Sequence, residues 1–183
     1  MKNDCPVNVE RMKPVDSIEG EDAADTKLLR EMAVEARDFI STNEWCEHLD
    51  RQYLAYGVGG VVAVFLVQIT PASEDVDACL WVVVGDLPPA YIVVEDNPTA
   101  ADALDAYCSE MEAWVEAVKN GESVDELIPV NGPPTREYAE QLSGRLAYLR
   151  SKILSLAAGG HGLRRNSIKV RVPPVPGFWG PGR

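Results

Sequence analysis

Three residues of this chain would do acid–base chemistry if the fold brought them together. His48 lies in a segment with Trp45 and Cys46, and Asp86 and Tyr91 flank a connection further along. An imidazole, a carboxylate and a phenol in one pocket could hold and move a proton. Each has a plainer role as well. An aspartate in a turn accepts backbone amide bonds, and a tyrosine suits a strand. A thiol nucleophile would need Cys46, Cys79 or Cys108 beside His48, and no spacing favours that pairing. Cys46 and His48 lack the further ligands that zinc requires. Gly57, Gly59 and Gly60 precede an apolar run, whereas a phosphate-binding loop comes after a strand and opens a helix. The expectation is therefore no cofactor and no metal.

The other chemistry is recognition by charge. The 183 residues carry a net charge of −12, and it is unevenly placed. Gly159 to Arg183 holds five basic residues and no acidic one. The remaining 158 residues carry 12 Lys and Arg against 29 Asp and Glu, a charge of −17. Such a body repels nucleic acid and attracts basic partners. Asp102, Asp105, Glu112 and Glu116 recur at helical spacing, an acidic stripe whose like charges repel slightly. With Asp86, Tyr91, Phe178 and Trp179 they are the candidate partner-binding residues.

These residues must be positioned by a small set of elements. Cys79 to Val84 and Ala90 to Val94 are apolar runs joined by Gly85-Asp86-Leu87-Pro88-Pro89. Runs rich in Val and Ile between Gly and Pro suit strands buried on both faces. Val61 to Ile69 is a third, central strand, with a turn at the preceding glycines. Helices are predicted over Glu21 to Ile40, from Thr99 to Asn120, and from Pro134 or Thr135 to about Ala158. Thr99 and Asp102 form a capping box, and Gly121 ends that helix. Tyr138, Leu142, Leu146, Leu149, Ile153 and Leu156 share one face of the last helix, for core packing or a homodimer seam. Ser41 to Leu49 reads as a short helical turn.

The fold class is α+β, a mainly antiparallel sheet of three to four strands packed by three main helices. Residues 1–20 form a loose arm, 21–158 one domain, and 159–183 a basic tail rich in Pro and Gly. That tail stays unstructured, folds back on the acidic body, or docks on a partner. The cysteines at 5, 46, 79 and 108 show no CxxC spacing and are predicted to be free thiols. Free thiols suit a reducing cytoplasm. The opening residues lack the apolar core of a secretory signal, and no run is long enough for a membrane span.

The stretches WVVVGDLPPAYIVV (81–94), DNPTAADAL (96–104), WVEAV (114–118), SVDELIPVN (123–131) and PPTREYAEQLSGRLAYLRSKIL (133–154) together carry a resemblance. They are similar to a family of small, acidic, bacterial cytosolic proteins known only as a domain of unknown function. The likeness covers roughly residues 36–154. It implies a bacterial, intracellular setting and carries over no catalytic residue.

Three functions are compatible with these residues. One is a non-enzymatic protein-binding module, most specifically an inhibitor or immunity-type protein that covers a basic partner. Another is a small enzyme with its pocket near Trp45, His48, Asp86 and Tyr91. The third is a subunit or scaffold of a larger assembly.

Overall fold

The computed structural model describes residues 5–157. Its centre is one antiparallel sheet in chain order: β1 (Lys13–Pro14), β2 (Cys46–Val58), β3 (Val62–Pro71), β4 (Cys79–Gly85) and β5 (Leu87–Val93). The α+β class holds, with one strand more than the sequence suggested. Alternate residues of β3 and β4 serve two separate cores. Ala63, Phe65, Val67, Leu80, Val82 and Val84 face helix α1 (Ala23–Ser41). Val62, Val64, Leu66, Trp81 and Val83 face α2 (Ala100–Asn120) and α3 (Arg136–Tyr148). An unbroken apolar run is what a strand covered on both sides needs.

The helix ends obey local chemistry. Thr99 and Asp102 form the capping box, and Gly121 closes α2 with φ 72°. Asp22 caps α1 through the amides of Ala24 and Asp25. The β2–β3 turn places Gly60 at φ 73°. The β4–β5 connection is tighter than the five residues anticipated: Gly85 pairs with Leu87, leaving Asp86 alone at the tip. Gly85 has φ 144°, and a Cβ there would strike the Val61 carbonyl, which accepts the Asp86 amide at 3.1 Å. Pro88 and Pro89 therefore belong to β5. They are tolerated because no strand lies beyond it.

Three expectations are corrected. Ser41 to Leu49 is not a helical turn; from Cys46 onward it is the start of β2. Residues 5–20 are not loose: β1 pairs with β2, Ile18 is fully buried, and Val7, Val9 and Met12 pack against the α2-side core. The cysteines are not all free. Cys5 and Cys79 form a disulfide across 74 residues, while Cys46 and Cys108 are thiols.

The last helix breaks its period. After Tyr148 it makes a π-helical turn, Leu149–Ile153, before ending at Leu154–Ala157. The wider turn rotates the residues beyond it about the helix axis. Leu154 is buried where the 3.6 period puts Leu156, which is 67% exposed. Leu142, Leu146, Leu149 and Ile153 fill the chain's own core, so that face is not a dimer seam. No helix among the described residues is long and apolar enough to cross a membrane.

Candidate functional site

The strand register brings three connections to one end of the sheet. Cys46 pairs with Pro71, the Ile69 amide donates to Ala78, and Leu80 pairs with Val93. Four strand ends side by side span about 15 Å. The segments leaving them carry Glu44, Glu47 and Asp50, then Glu74, Asp75 and Asp77, then Glu95 and Asp96, all exposed. Residues 44–50, 72–78 and 95–97 contain no Lys or Arg. Asp50 accepts a hydrogen bond from the Thr70 hydroxyl at 3.0 Å and lies 4.0 Å from His48. The eight carboxylates are spread out: among the described residues no three ligand-type side chains group as a metal site.

Each of these segments is pinned by its own bonds. The Asn43 side-chain amide donates to the carbonyls of Phe39 and Ile40, closing α1 and fixing the approach to Glu44. The Ala72 amide donates to Trp45 O at 2.9 Å. Asn97 is the buried polar residue of this region. Its side chain donates to Val93 O at 3.0 Å, and its carbonyl accepts the Trp81 indole N–H at 2.7 Å. Glu95 and Asp96 therefore leave a fixed turn.

Trp45 and Tyr91 do meet, edge to face at 5.1 Å between ring centroids, in the α1-side core. The Tyr91 hydroxyl is buried with no hydrogen-bond partner, and burial pushes its pKa up to about 12. Burial, then the Asp50 charge, raises the Cys46 thiol. Both groups are held protonated at neutral pH, the opposite of an activated nucleophile.

His48 and Asp86 do not join them. His48 pairs with Thr70 near one end of β3, whereas Asp86 bonds to Val61 just before its other end. Val62 and Thr70 lie eight residue steps apart along β3, roughly 26 Å. The anticipated acid–base pocket of Trp45, His48, Asp86 and Tyr91 does not form. Asp86 instead accepts from Arg145 Nε at 3.0 Å.

The helical stripe is largely occupied within the chain. Asp102 serves the capping box, accepting from the Thr99 hydroxyl at 2.6 Å. Arg150, carried by the π turn, reaches across to α2. It donates to Glu112 at 2.6 and 2.9 Å, to the Ser109 hydroxyl at 2.9 Å, and to Asp105. These bonds raise the Arg150 pKa further, so its charge is permanent. Glu116 is exposed and has no ion pair among the described residues. Phe178 and Trp179, like His161 and the rest of the tail, lie outside the described residues.

The acidic end of the sheet is the feature that reading along the sequence missed. Its carboxylates sit in three segments separated by whole strands, and only the register collects them. Comparison with known proteins adds no relative: no family model, curated protein or solved structure matches this chain.

Proposed function

We propose that this chain is a non-catalytic binding protein that docks a basic protein partner on the acidic end of its sheet. An inhibitor or immunity-type role, masking a cationic surface, is the specific form. The supporting observation is a set of eight exposed carboxylates, six on three pinned connections and two at the start of β2, none of which pairs with a Lys or Arg among the described residues. Like charge without a Lys or Arg partner, held on a rigid frame, speeds the encounter with an opposite surface and selects among partners. The stripe on α2 is withdrawn from this role, because Arg150 and the cap already engage three of its four carboxylates. The resemblance keeps the bacterial cytoplasm as the proposed setting.

The test is a pull-down from bacterial lysate with the tagged full chain, read by mass spectrometry at low and high salt. The wild type is compared with the triple variant Glu74→Lys, Asp75→Lys, Asp77→Lys. One basic protein retained at low salt, and lost both at high salt and from the variant, supports the reading and names the target. A specific partner indifferent to salt and to the variant rules out the acidic end. No partner under either condition shifts the weight to self-association or to an enzyme.

A further inference from the structure

We infer that residues 5–12 form a redox-locked strap, released from the sheet when a small thiol or dithiol reduces Cys5–Cys79. The path of the chain carries this. Cys5 is tied to the first residue of β4, and Lys13–Pro14 pairs with Leu54 and Tyr53 of β2. β3 lies between those two strands. The strap therefore crosses from β4 over β3 and beyond β2, on the face packed by α2. Val7, Val9 and Met12 are half-buried against that core, as is Tyr53.

Very little else holds it. The Glu10 amide donates to the Asn8 side chain and the Met12 amide to Val9 O, both within the strap. Among the described residues no hydrogen bond joins residues 5–12 to the sheet. Three half-buried side chains and one covalent bond fasten the segment. A segment with few buried contacts and few backbone bonds opens easily once its tether is cut.

The exchange is balanced. Cys5 is half-exposed and Cys79 is buried, so an incoming thiolate reaches the Cys5 sulfur first. A mixed disulfide forms there and Cys79 leaves as a thiolate, which takes a proton. A second thiol displaces the mixed disulfide. Two electrons and two protons end on the cysteines, and the reductant becomes its own disulfide. A cytosolic disulfide of this kind is commonly transient and redox-sensing. The strap would then lie closed under oxidation and open in a reducing cell, independently of what binds the acidic end.

The experiment uses the full chain, oxidised with glutathione disulfide or reduced with a phosphine. Alkylation after denaturation should count two thiols in the oxidised form and four in the reduced form. Cleavage by trypsin after the exposed Arg11, and amide exchange across residues 5–14, should both accelerate on reduction by roughly tenfold or more. Exchange in α2 should stay unchanged, and Cys5→Ser should behave as the reduced form without reductant. Four thiols in the oxidised sample overturn the inference, because no bond exists to lock. So does reduction that leaves Arg11 cleavage unchanged, since packing alone then holds the strap. Equal acceleration in α2 also overturns it, because the bond would be a general staple of the fold.

Discussion

The outer face of α2 and the end of the sheet are both acidic, and the fold treats them in opposite ways. On α2 the carboxylates of Asp105 and Glu112 stand within reach of a neighbouring helix. The π turn there presents Arg150 to both. At the sheet end eight carboxylates gather from three connections and the start of β2, and none of them pairs with a Lys or Arg among the described residues. A helical stripe is regular, so a single cation on the adjacent helix can neutralise several of its charges. Charges collected by strand register have no such neighbour, and their field persists into solvent over about 10 Å at 0.1 M salt. An acidic pattern visible in a sequence is thus weaker grounds for a binding face than an acidic cluster made by topology.

High pH should sharpen this contrast most, because a buried acid lies beneath each region. Burial chiefly pushes the Cys108 thiol under Arg150 up to about 12, with Arg150 pulling it back and Glu112 and Asp105 adding to the rise. The folded thiol keeps its proton longer than the unfolded one. Its stabilising contribution is complete below pH 9 and is lost as pH climbs toward 12. The loss is on the order of 4 kcal/mol at pH 12. Tyr91 acts in the same direction between pH 10 and about 12. Urea titrations from pH 8 to 12 should show the unfolding free energy falling, and Cys108→Ala should flatten the curve.

Reversing the stripe comes next in size. Asp105→Lys with Glu112→Lys sets three cations together in a half-buried site. It should cost about 2 kcal/mol of stability after allowance for solvent screening. A shift in the urea midpoint checks it, and a tolerated double reversal would remove the distinction between the two regions. The same chemistry at the sheet end should do almost nothing to the fold. Glu74→Lys, Asp75→Lys and Asp77→Lys together should leave stability within about 0.5 kcal/mol. With the captured partner in hand, their effect should be a roughly tenfold slower association at low salt, fading as salt rises. Stopped-flow mixing reads that rate.

The smallest effect is expected at Tyr91. Its hydroxyl is buried and bonds to nothing. Tyr91→Phe should therefore be neutral or stabilising by up to about 1 kcal/mol. A clear loss of stability would mean that the hydroxyl has a partner, such as a buried water.

Much of the frame was legible because it rests on local rules. Apolar runs bounded by Gly and Pro marked β3, β4 and β5, and Thr99, Asp102 and Gly121 marked both ends of α2. The features that escaped depend on partners distant in sequence. Cys5 and Cys79 are 74 residues apart, and nothing in their spacing links them. Arg150 lies 38 and 45 residues from Glu112 and Asp105, on a turn whose π geometry no periodicity announced. Trp45 and Tyr91 were grouped correctly. They were also grouped with His48 and Asp86, because the reactivity of a side chain does not say which end of a strand it occupies. Asp50, Asp77 and Glu95 were not singled out, for the same reason.

The prolines of β5 have one further consequence, which concerns crowding. β5 ends the sheet, and two of its seven residues have no amide hydrogen. The carbonyl of Pro88 is also occupied, accepting the Tyr107 hydroxyl at 2.7 Å. A second molecule approaching this margin finds gaps where a growing fibre needs a continuous ladder of donors and acceptors. A filament built by adding strand to strand has no tip from which to grow on this side. The molecules should stay discrete at high concentration despite central strands as apolar as β3 and β4.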